Sequence, residues 1–106
     1  MLMSNLSKEY ELYITEPAES DLESIAAYSY LEFGEDTAIN YTTAIYDTIS
    51  QILKDPSIGK KRYGVPAVIL GRKCGRHVIF YRLQDNIIYI IRILHETMDY
   101  GRHINS

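Results

Sequence analysis

Polar and apolar residues alternate over Tyr10-Glu11-Leu12-Tyr13-Ile14, placing Tyr10, Leu12 and Ile14 on one face. That two-residue period is the signature of a half-buried strand. The period then changes. Ala18, Leu22, Ile25, Ala26, Ser29 and Phe33 recur at spacings of three and four, which predicts a helix from about Pro17 to Phe33. Thr15 is a natural cap, Pro17 sits in the first turn where its missing N–H is harmless, and Gly34 supplies the stop. After a two-residue break, with Asp36 as the expected cap, Ala38, Tyr41, Ile45, Ile49 and Ile52 repeat the helical spacing until Pro56 ends it. So short a connection predicts an antiparallel helical hairpin.

Residues 54–67, KDPSIGKKRYGVPA, have no period and read as a loop. Val68-Ile69-Leu70 is a short apolar strand, with Gly71-Arg72-Lys73-Cys74-Gly75 as its turn. From Arg76 to Leu83 both alternating sets are largely apolar, as in a strand covered on both faces. Asp85-Asn86 suits a two-residue hairpin turn, and Ile87 to Leu94, IIYIIRIL, is the natural central strand. The predicted fold is α+β, in the order β-α-α-β-β-β. The helical hairpin packs on one face of a mainly antiparallel sheet of about four strands, and the other face is expected to be free.

Size and composition add boundaries to this picture. A chain of 106 residues fits one domain, with residues 1–8 as a loose tail. With 46% hydrophobic and 24% charged residues it is an ordinary globular chain, and it has neither a membrane-spanning run nor a signal-like N-terminus. The expected location is the cytoplasm. Cys74 is the single cysteine, so it forms no disulfide framework or cysteine zinc cluster, and as a turn residue it is expected to be a solvated thiol. No metal or cofactor is expected.

The net charge of −3 conceals a division. Residues 1–53 carry ten acids and one base, net −9, and residues 54–106 carry ten bases and four acids, net +6. One acidic and one basic face would follow, the basic one suited to anionic partners unless the two halves simply pair. Lys60, Lys61 and Arg62 beside Tyr63 have the composition of a phosphate contact, although three bases in a loop are more often solvated surface.

Three blocks of sequence carry a resemblance. They are the opening Tyr13-Ile14-Thr15-Glu16-Pro17-Ala18-Glu19-Ser20-Asp21-Leu22, the central Gly75-Arg76-His77-Val78-Ile79-Phe80-Tyr81-Arg82, and the closing Arg92-Ile93-Leu94-His95-Glu96-Thr97-Met98-Asp99-Tyr100-Gly101-Arg102-His103-Ile104. On these blocks the chain resembles the ParE-like branch of the RelE/ParE superfamily of small bacterial toxins, and the resemblance covers roughly residues 9–104. The closing block is the most specific of the three. The resemblance implies a toxin of a type II toxin–antitoxin pair. ParE-like members block DNA gyrase, whereas RelE-like members cleave messenger RNA on the ribosome, and a shared fold does not separate the two.

The chemistry of the chain bears on that choice. RNA cleavage needs a base, an acid and cations for the phosphorane charge, for which His103, Tyr100, Arg82 and Arg76 are the candidates. Gyrase blockade needs only an exposed surface, which the resemblance implies lies on the C-terminal half: Lys60, Lys61, Arg62, Arg72, Arg76, Arg102 and His103. His95, Glu96 and Asp99 directly follow the central strand and are expected to latch the tail, Glu96 through Arg76 or Arg102. The net acidic chain and this latch favour a gyrase-binding inhibitor over a ribosome-dependent nuclease, with an inert antitoxin-binding relative as a further alternative. Related antitoxins wrap a disordered arm around the toxin. Ten tyrosines exceed what one core of this size readily buries, so Tyr28, Tyr30, Tyr41 and Tyr46 are candidates for that contact, with helix-face packing as the plain alternative.

Overall fold

The computed structural model describes residues 9–104, so the expected loose tail at 1–8 lies outside the described residues. In chain order the elements are β1 (Glu11–Ile14), α1 (Glu16–Phe33), α2 (Glu35–Lys54), a 3-10 turn (Pro56–Ile58), β2 (Leu70–Cys74), β3 (His77–Gln84), β4 (Ile87–His95) and a short α3 (Tyr100–Ile104). The sheet order is β1-β4-β3-β2. β1 runs parallel to β4, and the two pairings among β2, β3 and β4 are antiparallel. This is the α+β arrangement that the periodicities predict, with β4 inside the sheet. Among the described residues no helix is long and apolar enough to cross a membrane.

The helical hairpin buries its stripe against one sheet face. Ala18, Leu22 and Ile25 from α1 and Ile45, Ile49 and Ile52 from α2 close over Ile79, Tyr81, Ile88, Ile90 and Ile93. Each fully buried isoleucine of this set stabilises the fold by roughly 1.5–3 kcal/mol. The stripe ends early on α1, where Phe33 is exposed rather than inward, its ring set edge-on to that of Tyr28. Gly34 has φ 92°, ends α1 and begins α2, so a single residue separates the helices and the Asp36 side chain does not cap α2.

The start of α1 is tied to β4 by two polar side chains. The Thr15 Oγ1 accepts from the Ala18 N–H at 3.3 Å, and its hydrogen is shared between the carbonyls of Ile90 (2.9 Å) and Ile91 (3.1 Å). That is where the ladder slips, because Tyr81 pairs with Ile90 but Phe80 pairs with Arg92, leaving Ile91 as the extra residue of a bulge. One turn further on, the Asp21 carboxylate accepts from Arg92 Nε (2.7 Å) and Nη2 (2.9 Å) and from the Ile93 backbone N–H (2.9 Å). β1 pairs with β4 only as far as Ile90, so Asp21 occupies the edge that β1 has left. A single charge inside the apolar run IIYIIRIL is thereby paired.

Two expectations about β2 fail for one reason. Gly71 to Cys74 form the strand itself, and the turn is only Gly75-Arg76, with Gly75 at φ 59°. Gly71 reads as a strand breaker in the sequence, but here it is required by close approach. A Cβ on Gly71 would lie 2.8 Å from Val78 Cγ1 and 2.9 Å from Arg62 Cγ. Cys74 therefore lies at the buried end of a strand instead of being a solvated turn thiol. The preceding loop is also less irregular than expected, since Lys60 exchanges two backbone hydrogen bonds with Gly71 (2.9 and 2.8 Å) along the outer edge of β2.

The second sheet face is not free either. Ile69, Val78, Phe80 and Leu94 form a smaller core there, covered by Val65, Ile91, Tyr100 and Ile104. The face stays open at the Arg82 to Gln84 end of β3 and at Tyr13 of β1.

Candidate functional site

The covered second face gathers part of the predicted target-binding set. Tyr100 lays its ring against Phe80, with centroids 4.8 Å apart and planes at 62°, and its phenol donates to the Glu96 carbonyl at 3.2 Å. One residue on, a Cβ on Gly101 would lie 2.9 Å from the Gly64 carbonyl oxygen, so α3 rests directly on the 60–64 loop. The Arg92 Nη1 donates to the His103 carbonyl at 3.3 Å and holds the far end of α3. Arg102 and His103, which follow Gly101, are exposed, as are Lys61 and Tyr63 ahead of Gly64, with Tyr63 99% exposed.

The other members of that set lie elsewhere. Arg62 folds back over Gly71, donating from Nη2 to its carbonyl at 3.2 Å, and Lys60 follows the β2 edge. Arg72 points to the helical side and donates to the Ile58 carbonyl at 3.4 Å. Arg76 occupies the β2–β3 turn, at the far end of the sheet. The nuclease candidates are equally dispersed: Arg76 and Arg82 lie toward opposite ends of β3, about 20 Å apart at the ~3.3 Å strand rise. Tyr100 is engaged in holding the tail.

The turn end of the sheet contains a second site. A cavity of about 510 Å3 is lined by Tyr28, Ser29, Phe33, Thr37, Tyr41, Arg76, His77 and His95. It continues past the two histidines toward Ser24, Thr97 and Met98. His77 and His95 are cross-strand partners with ring centroids 5.3 Å apart. The Tyr41 hydroxyl lies 2.7 Å from His77 Nδ1, receives the Arg76 backbone N–H at 3.0 Å and donates to the Cys74 carbonyl at 3.2 Å. The hydroxyl has one hydrogen for the Cys74 carbonyl and His77 Nδ1, so the 2.7 Å contact is compatible with either His77 tautomer. The His95 Nδ1 accepts from the Thr97 backbone N–H at 3.2 Å and faces the Thr97 hydroxyl at 2.8 Å. Among the described residues no group of three or more metal-ligating side chains forms.

Burial lowers the pKa of His77 below its ordinary 6.5, and His95 adds to that, against smaller opposing effects of Asp21 and Glu96. Burial likewise raises the Tyr41 phenol. The folded state therefore binds a proton at His77 less readily than the unfolded chain does. Its contribution to stability is complete above 6.5 and is lost as pH falls below that value toward the folded pKa. Urea midpoints are expected to drop between about pH 8 and about pH 5, and the drop should shrink in His77→Gln. Identical pH slopes in the two proteins would refute this assignment. Glu96, whose pKa is lowered chiefly by Lys73, adds its loss only below its ordinary 4.5.

The latch is built from partly different groups than the sequence suggested. Glu96 pairs with Lys73 at 2.8 Å and more loosely with Arg76 at 3.7 Å, while Arg102 is not among its partners. Its backbone N–H donates to the Arg76 carbonyl at 2.8 Å. Asp99 contributes its carbonyl to the Arg102 N–H at 3.1 Å. Lys73 falls in a stretch that the sequence presents as a turn, but in strand register it lies beside Val78, whose other neighbour is Leu94. Of the four tyrosines, Tyr28, Tyr30 and Tyr46 are exposed, whereas Tyr41 is half-buried and joins α2 to the β2–β3 turn. Exposed Leu31 and Ile39 extend the surface around Tyr30.

Comparison with known proteins agrees with this architecture. Residues 12–100 match the model of the ParE toxin of the type II toxin–antitoxin system parDE. Toxin ParE1 of Caulobacter vibrioides is 32% identical over 87 residues, covering 82% of this chain and 90% of that protein. Toxin ParE1 of Mycobacterium tuberculosis is 29% identical over 94 residues, covering 87% and 96%. Among solved structures, a chain of the chromosomal ParDE system from P. aeruginosa superposes with a TM-score of 0.72 at 20% identity, covering 82% of this chain and 96% of that one. A chain of the toxin–antitoxin complex RelBE2 from Mycobacterium tuberculosis gives 0.59 at 19%, covering 82% and 98%. The helical hairpin, the four-stranded mixed sheet and the match over residues 12–100 lead to one conclusion: this chain belongs to the ParE toxin family of type II toxin–antitoxin systems.

Proposed function

We propose that this toxin acts in the cytoplasm by binding DNA gyrase without chemistry of its own, and that a cognate antitoxin neutralises it. The observation that carries the target reading is the seating of α3. Gly101 packs against Gly64 and Tyr100 against Phe80, which fixes the segment that carries exposed Arg102 and His103 against the loop that carries exposed Lys61 and Tyr63. A fixed cationic surface with an exposed aromatic suits recognition of a large partner, in which charge sets orientation and rings supply contact area. The wide separation of Arg76 from Arg82 speaks for binding over cleavage, because phosphoryl chemistry needs its groups to converge on one reacting atom. An antitoxin partner is supported by the family and by the ParDE and RelBE2 systems to which the similar structures belong.

Expression without antitoxin is expected to arrest growth while leaving messenger RNA intact. Lys61→Glu with Arg102→Glu should weaken the effect on the order of tenfold, because exposed interface charges act mainly on association. Growth unaffected by a folded, unaltered chain would favour an inert family member. Arrest accompanied by messenger cleavage would favour the nuclease.

A further inference from the structure

We propose, resting on the reading that an antitoxin binds this chain, that the cavity at the turn end of the sheet seats an apolar side chain of the antitoxin arm whose neighbouring carboxylate pairs with Arg76. The walls are Tyr28 and Phe33, exposed rings in edge-to-face contact with centroids 6.4 Å apart. Large exposed rings beside a cavity of about 510 Å3 are an unusual use of apolar surface unless a partner covers them. The floor is formed by His77 and His95, whose Nδ1 atoms are tied to Tyr41 and Thr97 within the chain. Their orientations are thus set before anything binds, and both rings line the cavity.

The carboxylate follows from the charge at the mouth. The Arg76 side chain is 77% exposed and only 3.7 Å from Glu96, which has its closer partner in Lys73 at 2.8 Å. A guanidinium with five donors and one loose partner has capacity for a second, bidentate acceptor. This charge also separates the cavity from the uncovered apolar surface on the helical hairpin. The surface around Tyr30, Leu31 and Ile39 is bordered by Glu35 and the cavity by Arg76, so a carboxylate-bearing segment is disfavoured at the first and attracted to the second.

The test uses the full chain and the purified product of the reading frame adjacent to its gene, with affinity measured by calorimetry and folding of each variant checked by its melting curve. Arg76→Glu and Tyr28→Ser are each expected to weaken binding at least about tenfold, while Leu31→Ser stays within about twofold. Replacing the contacting carboxylate of the partner by lysine should restore binding to Arg76→Glu and not to Tyr28→Ser. If the unaltered chain binds and neither Arg76→Glu nor Tyr28→Ser changes affinity, this groove is not the seat and the inference is overturned while the antitoxin reading stands. Loss in Leu31→Ser alone would move the seat to the hairpin. Failure of the unaltered chain to bind would overturn the antitoxin reading and this inference together.

Discussion

Asp21→Ala should lower the unfolding free energy by about 3 kcal/mol, the scale for removing one partner of a largely buried ion pair. The carboxylate is the acceptor for two Arg92 nitrogens and for the Ile93 N–H at once, and the Asp21 and Arg92 side chains are only 15% and 23% exposed. Its hydrogen bonds to Arg92 are the main cause of that guanidinium's raised pKa. Removing it leaves a charge and a backbone donor stranded at the bulge, and also releases the Arg92 hold on the His103 carbonyl. Replacing both residues with apolar ones, Asp21→Leu with Arg92→Met, should recover much of the loss, because the pair must overcome its own desolvation. Urea denaturation checks this through a lowered midpoint at unchanged slope. A loss under about 1 kcal/mol for Asp21→Ala would mean that the pair behaves as a solvated surface bridge.

Phe80→Ala should cost about 4 kcal/mol, within the range for a fully buried phenylalanine, and should act on one place in particular. Phe80 is wholly buried, belongs to the small second core and is the ring on which Tyr100 rests. α3 spans only five residues, contains no buried one and is too short to persist by its own hydrogen bonds. Removing the ring should therefore release α3 while the hairpin side of the sheet remains folded. Amide exchange is the discriminating measurement, and protection at Arg102 and His103 should fall by more than the global change. Ile45→Ala, a cavity of similar energetic scale on the opposite face, should leave that local protection tied to global unfolding. Equal behaviour of the two variants would show that α3 does not depend on the second core.

Where a residue's role was set by local period or by a cap, the sequence already contained it. Thr15 and Pro17 mark the start of α1, and the apolar runs of β3 and β4 identify two strands covered on both faces. The errors arise where the cause is a neighbour distant in sequence. Gly71 looks like a breaker until Arg62 and Val78 are seen to occupy the space of its missing side chain. That one residue shortens the turn, buries Cys74 and places Lys73 in reach of Glu96. Arg92 carried a usable signal, since a single charge within a buried strand requires a partner, and Asp21 on the shoulder of the α1 stripe has the opposite sign. The covering of the second face was harder to foresee. It depends on Gly101 meeting Gly64 across 37 positions of chain, and neither glycine belongs to a periodic pattern. The cavity at Tyr28 and Phe33 is half legible in the sequence: Tyr28 is a surplus aromatic, but Phe33 fits the spacing of the buried helical stripe.

The central claim is that this ParE-family chain stops gyrase by binding it through the surface that α3 completes. The most direct measurement is gyrase supercoiling of relaxed plasmid with the purified, folded chain added, alongside a translation extract probed for messenger cleavage. The account predicts loss of supercoiling at micromolar chain, weakened in Lys61→Glu with Arg102→Glu, and intact messenger in the extract. Undiminished supercoiling together with cut messenger would contradict it.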